Sequence, residues 1–499
     1  MQIFKVSSQI LFLPVLLLLV LAGCDQSEQT TADTYAKETT TSAKPGCQNC
    51  HAVQLDINHK LACSTCHNGD ITANTEEGAH LDLTGLPAHP LNMNKTCGKC
   101  HQQQTKSASK SIHFTLSKEI NSVRKAFGAT NSLHSLTEIP IEEPTTTPLA
   151  LADDMLRRRC LRCHLYYQGD PYPETEHGTG CAACHLDFQD NALQSHSFNR
   201  YPNDKQCLHC HNGNRVGSDY YGRFQRDYSW EYRTPYRTDD TYPRPYGVEF
   251  HQLQPDIHQQ AGIACIDCHS GAQLMGSDHN GTSTPLTCQG CHGWQPGQTS
   301  PAANLIAKDR QLILITKHEH KSLPVPLMKN PAHRQYKNKA TCVACHAQWS
   351  FNDQNTQLMR QDTDDYDPWS LLTVQESVEV EAQLENNLYG DDNTEPTMID
   401  KLSGEPRPGL WYKGFKQRRW ETMVLCADTD KRITVCRPSL DLHLSYVNAN
   451  EEVVFDSVAT TPATKKIRPY TPHTIGKAGS FFRQRLSHAT DADNPQEKP

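Results

Sequence analysis

Nine copies of one pattern, Cys-x-x-Cys-His, constrain this 499-residue chain more than anything else in it. In chain order, and numbered one to nine below, the first five are Cys47/Cys50/His51, Cys63/Cys66/His67, Cys97/Cys100/His101, Cys160/Cys163/His164 and Cys181/Cys184/His185. The last four are Cys207/Cys210/His211, Cys265/Cys268/His269, Cys288/Cys291/His292 and Cys342/Cys345/His346. They use 18 of the 21 cysteines. Paired thiols at this spacing can form half of a zinc ribbon or a redox dithiol, but neither needs histidine in the fifth position. A disulfide framework would not repeat an obligatory histidine either.

The pattern is the attachment signature of c-type haem. Two thiols at this spacing add across the two vinyl groups of one porphyrin, and the next residue reaches the iron as an axial imidazole. On these nine motifs the chain resembles the multihaem c-type cytochromes over about residues 47–346. The resemblance implies nine covalent haem c groups per chain, held by the 18 motif cysteines. It also implies that the nine motif histidines are proximal iron ligands, in mostly bis-histidine haems packed closely enough to exchange electrons.

Each iron has a second axial position, and 17 of the 26 histidines lie outside the fifth place of a motif. Several stand shortly upstream of one: His59, His89, His177, His196, His258, His279 and His333. These seven are the candidate distal ligands, each to its own haem or to a neighbour. His209 lies inside motif six, its backbone already pinned, and is set aside. No histidine precedes Cys47, and the nearest before Cys160 is His134. Those two haems must draw on His80, His113, His134, His251, His318 or His320, or leave the position open; the haem on Cys160 and Cys163 is the first candidate for an open site. His473 and His488 could supply a distant ligand or serve at the surface. The chain has only eight methionines, so histidine pairs and low potentials are expected.

The N-terminus reads as an export signal. Lys5 precedes an apolar stretch from Ile10 to Leu21 that is short for a membrane span and carries Pro14. It ends in Leu21-Ala22-Gly23-Cys24, which looks like a bacterial lipobox and implies cleavage after 23 and lipidation of Cys24. Residues 24–46 are polar and Thr-rich, a flexible tether. Stable membrane attachment through the acylated cysteine is therefore expected, at the periplasmic face of the inner membrane or at the outer membrane.

Apolar residues make up 36% and mean hydropathy is -0.67, little material for a large protein core. Porphyrins would supply the missing apolar surface. The expected fold is therefore a mostly irregular and α-helical array, short helices around haems, with a small β-rich C-terminal domain. Motif spacing divides it into haem modules at 47–138, 151–215 and 251–352. A Pro/Thr-rich linker at 139–150 and an Arg/aromatic loop at 216–250 separate them. Before the linker, Leu116, Ile120, Val123 and Phe127 have helical spacing. Residues 365–499 lack the motif; their alternating apolar and polar residues read as two hairpins. Cys426 and Cys436 flank the first turn, and in an oxidising compartment a disulfide is expected.

The formal charge of -8, with propionates added, argues against nucleic acid and suits a positively patched redox protein as partner. Nothing in the sequence supports an oligomer or a filament. Two functions stand. One is an electron carrier between membrane donors and periplasmic or extracellular acceptors. The other is an oxidoreductase acting on a small nitrogen, sulfur or metal oxyanion at one open haem. No motif ends in Lys, the variant found at the active haem of pentahaem nitrite reductases, and no dinucleotide-binding glycine signature is present.

Overall fold

Thr147 and Pro148 start the helix around which the protein's largest apolar core is built. The Thr147 side chain caps the Ala150 amide at 3.1 Å, and Pro148 occupies the first turn, where its missing N–H costs nothing. In the computed structural model this helix, α2 (Pro148–Met155), packs beside α1 (Ser117–Ala126). It then widens into a π-helical turn, Leu156–Cys160, which delivers the first thiol of motif four. The structure describes residues 46–212, 217–225, 246, 248, 250–276, 286–364, 375–389, 395–414, 417–418, 423–438, 440–460, 467–478 and 485–487. All of these lie in one compact unit.

Against the two helices lies a four-stranded sheet: β1 (Thr356–Gln361), β2 (Leu410–Lys413), β3 (Leu442–Val447) and β4 (Val453–Ala459) in the order β2-β1-β3-β4. The β1–β3 pair is parallel and the others are antiparallel. Ile120, Leu151 and Met155 from the helices meet Trp411, Leu410 and Leu444 from the sheet, all fully buried. A run of buried ion pairs fastens the same contact. Arg157 donates to Asp400 at 2.6 and 3.1 Å; Arg158 donates to Asp154 at 2.7 Å and to the carbonyls of Pro408 and Gly409. Trp411 Nε1 donates to Asp154 at 2.8 Å.

Three expectations are corrected here. The stretch 139–150 is not a free linker: Ile139 is in the core, Arg157 bonds its carbonyl at 2.7 Å, and α2 begins at Pro148. The C-terminal region is not a separate β domain starting at 365, because its sheet includes 356–361 and shares its core with 116–161. The haem-motif region also holds more regular structure than expected. An antiparallel meander of Leu305–Lys308, Gln311–Ile315 and Ser322–Pro324 covers Trp294 with Leu312 and Leu314. Leu312 and Leu314 alternate with less buried neighbours and so bury one face of the central strand, which an apolar count over the whole chain cannot reveal.

The 116–127 helix forms with Ile120 and Phe127 buried. The two C-terminal hairpins pair Leu425–Ala427 with Ile433–Pro438, and β3 with β4. Cys426 and Cys436 are disulfide-bonded, with Cα atoms 5.9 Å apart. Residues 1–24, His279, His488 and much of the 216–250 loop lie outside the described residues. No helix of the described residues is long and apolar enough to cross a membrane.

Candidate metal centres

Seven of the nine motifs are built alike: the first cysteine opens or precedes a single helical turn, whereas Cys160 and Cys207 lie at the end of one. In most motifs the histidine N–H returns to the first cysteine's carbonyl, as in His51, His67, His101 and His211 at 2.8–2.9 Å. One tight turn thus turns both thiols and the imidazole into one space.

Six of the 18 motif cysteines are exposed, Cys50, Cys100, Cys160, Cys184, Cys268 and Cys288, and the other twelve are half-buried. Cys50 and Cys100 are exposed, whereas their partners Cys47 and Cys97 are half-buried. The physical reason is local. Each ends a three-residue 3-10 turn, Cys47–Asn49 or Cys97–Lys99, in which no residue is buried, so no protein wall stands over the second thiol. Chain packing by itself therefore does not mark Cys50 or Cys100 as site residues; their assignment rests on the motif. The second thiols of motifs six and nine, Cys210 and Cys345, are half-buried instead.

What the sequence cannot specify is which imidazole stands opposite. Two imidazoles bound on either side of one iron, each nitrogen about 2.0 Å from it, have ring centres roughly 6 Å apart once half of each ring is added. Seven motif histidines face a non-motif histidine at that spacing. His51 faces His80 at 6.1 Å, His67 faces His196 at 6.3 Å, and His101 faces His59 at 6.3 Å. His211 faces His113 at 6.3 Å, His269 faces His473 at 6.4 Å, His292 faces His258 at 6.0 Å, and His346 faces His333 at 6.1 Å.

Hydrogen bonds set six of these fourteen rings, while His333 and His473 leave Nδ1 without a partner. Nδ1 meets a carbonyl in His67 (Thr84, 3.1 Å), His292 (Pro326, 2.7 Å), His346 (Gly476, 2.9 Å) and His113 (Leu274, 3.3 Å). Each bond protonates Nδ1 and leaves the Nε2 lone pair for a metal. Asp56 and Asp256 do the same for His59 and His258, both at 2.8 Å. Asp256 also accepts the Ile475 amide at 2.7 Å, while Asp219 accepts the His473 amide at 2.9 Å and the Tyr470 hydroxyl at 3.0 Å. Two buried carboxylates therefore position the tail segment that carries His473. Burial holds His211 neutral, down to about 4, the ligating form of imidazole. The hydrogen bond that His258 donates to Asp256 raises His258 instead.

Among the described residues, no imidazole faces His164 or His185 at this spacing. His185 Nδ1 meets the Asn199 carbonyl at 2.8 Å, oriented like its counterparts. His164 is turned differently. Its Nδ1 accepts the Tyr166 amide at 3.1 Å, its Nε2 meets the Lys401 carbonyl at 3.1 Å, and burial pushes it down to about 3. Its ring neighbours are Tyr166 and Tyr167, each at 6.1 Å. Around it lie Lys401, bonded to Asp170 (2.8 Å) and Glu379 (2.6 Å), and Arg162, stacked 3.7 Å over the Tyr246 ring. Arg159 is fully enclosed; its terminal nitrogens reach the carbonyls of Glu376 and Gln375, and its Nε has no partner.

Of the upstream candidates, His59, His196, His258 and His333 face motif histidines. Only His333 faces the motif directly after it. His89 points Nε2 at the Tyr166 carbonyl, 3.3 Å away. His177 faces His209 at 6.2 Å, both buried and neither in the fifth place of a motif. His80 and His113 come from the reserve set, and His473 from the far end of the chain. Among the described residues His134 and His320 face no motif histidine, and His318 meets the Pro202 carbonyl at 3.2 Å. His209 and His473 are the two whose placement sequence reasoning passed over or left open. No known protein family, curated protein or solved structure matches this chain.

The residues fit a porphyrin iron. Seven imidazole pairs have the spacing two axial ligands require. Ile57, Leu61, Leu81 and Leu91 leave apolar surface uncovered by protein beside the first three motifs, where Cys50 and Cys100 are also exposed. The unpartnered Nε of buried Arg159 suits a propionate. Among the described residues no group of three or more His, Cys, Asp or Glu side chains is arranged to hold a bare metal ion.

Proposed function

We propose that this protein is a lipid-anchored nonahaem c-type cytochrome that carries electrons between membrane donors and periplasmic or extracellular acceptors. The observation that carries the reading is the facing of seven motif histidines by non-motif imidazoles at 6.0–6.4 Å. Such haems would be closed to ligands and would supply one-electron chemistry at low potential. The chain's own residues fix the tautomers of six of these imidazoles and would pair with propionates. Cys24 would hold the molecule at a membrane and the acidic surface would dock a positively patched redox protein.

A second reading rests on His164. If the haem on Cys160 and Cys163 has no sixth protein ligand, a small oxyanion could bind there beside Arg162, Lys401 and Tyr246. Both readings are tested on purified mature protein. Its mass should equal the apoprotein plus nine haems, and its oxidised spectrum should be dominated by low-spin iron. A high-spin signal that moves on adding nitrite or hydroxylamine favours the second reading. Colourless protein, or a mass short of nine haems, eliminates both.

A further inference from the structure

One facing imidazole pair contains no histidine from the fifth place of a motif. The rings of His177 and His209 stand 6.2 Å apart, inside the 6.0–6.4 Å range of the seven pairs above, and both residues are 2% exposed. His177 Nδ1 donates to the Gly178 carbonyl at 2.7 Å, and His209 Nδ1 donates to the Glu174 carbonyl at 2.9 Å. Each Nδ1 thereby carries the proton, and each Nε2 keeps its lone pair. His209 Nε2 is buried without a partner, a state that an ordinary core histidine avoids. His177 Nε2 has the Cys210 thiol 3.6 Å away. Once that sulfur is a thioether it has no proton to donate, so haem attachment at motif six frees the second lone pair as well.

His164 is in the opposite state. Its Nδ1 accepts the Tyr166 amide and its Nε2 donates to the Lys401 carbonyl, both at 3.1 Å, so neither nitrogen has a lone pair to give. Lys401 is itself fixed, its amide on the Arg157 carbonyl at 3.0 Å and its amine on Asp170 and Glu379. Motif four therefore lacks a ligand of its own, and the unclaimed pair lies against it. The His177 amide donates to the Gln168 carbonyl and the Gly180 amide to the Leu165 carbonyl, both at 2.8 Å, which fastens the His177 segment along the residues that follow His164. Motif six, which carries His209, already has its pair in His211 and His113. Motif five has His185, whose Nδ1 bond to the Asn199 carbonyl leaves Nε2 for its own iron. From these contacts, and resting on the cytochrome reading above, we infer that His177 and His209 are the two axial ligands of the haem on Cys160 and Cys163. His164 is then a structural residue that ties motif four to Lys401. A haem closed in this way takes no oxyanion, which leaves electron transfer as the work of that site.

The test uses the full mature protein, with low-spin and high-spin haems counted by electron paramagnetic resonance and magnetic circular dichroism of the oxidised form. His177→Ala should keep nine haems and move one of them from low to high spin, whereas His164→Ala should move none. The reverse pattern, or no change in His177→Ala, overturns the assignment. Cys160→Ser with Cys163→Ser removes the haem in question, and adding His177→Ala to that eight-haem protein should give no new high-spin signal. A signal that still appears there places the pair on another haem and overturns the inference. Should any of these variants fail to mature, His209→Met keeps a ligand and should raise one midpoint potential in a redox titration, while His164→Met should raise none. Unmoved potentials in the first, or a raised one in the second, overturn the pairing. The mass of the parent protein separates a wrong ligand pair from a wrong cofactor: fewer than nine haems removes the cytochrome reading and the pair together.

Discussion

His473 reaches the space opposite His269 because its backbone is held, and the same is true of His258. Asp256 accepts two bonds from His258 and one from Ile475, so a single carboxylate orients two ligand-bearing segments. Asp256→Ala should lower stability by roughly 1.5–3 kcal/mol and disturb the midpoint potentials of the haems at motifs seven and eight, read by denaturant melts and by redox titration. His473→Ala should open one axial position and give a new high-spin signal in the oxidised protein. His443→Ala, whose ring bonds only Ser457 and Asp441 at the surface, should give none. An unchanged spectrum in the first variant would refute the His269–His473 pairing. At this scale the sequence carried much of the information. The motif residues name themselves, Cys50 and Cys100 included, although packing alone would have passed over the six exposed thiols among them. His209 and His473 show the limit, since nothing local tells whether a histidine far from a motif, or inside one, turns toward a distant ring.

At the scale of elements, the helix leading into motif four is held by charge as much as by apolar contact. Arg157 and Asp400 are both enclosed and bidentate, and Asp400 also accepts the amides of Leu402 and Ser403. Removing one member of such a pair leaves the other uncompensated, so Arg157→Met should cost about 3–5 kcal/mol. Replacing both with apolar residues of similar size should cost less, and a double-mutant cycle in denaturant checks the difference. Trp411→Ala should cost about 3–5 kcal/mol, from the cavity left between α2 and the sheet. The sequence showed the periods of α1 and of the hairpins. It did not show that Arg157, Arg158 and Arg159 are buried, because three consecutive arginines ordinarily mark a solvated face and only acceptors brought in from Ile139, Asp154 and residues 375–409 make burial tolerable.

For the whole molecule, apolar core and proposed pigment sites divide the work. The protein-only core lies among residues 120–161 and 358–446, while the first three motifs keep exposed leucines and isoleucines. Protein matured without haem should therefore lose protease resistance first in 47–138 and keep it longest in the α1–α2–sheet region, which limited proteolysis with mass mapping will read. Replacing Cys426 and Cys436 together by Ser removes a cross-link spanning 10 residues. It should cost about 2–4 kcal/mol without changing the number of haems bound. The sequence by itself determined where the nine loops proposed to bond porphyrins stand, because that chemistry needs only two thiols and an imidazole within five residues. Tertiary structure alone decided which rings face each other, because an imidazole pair closes through space and its second member can come from any part of the chain.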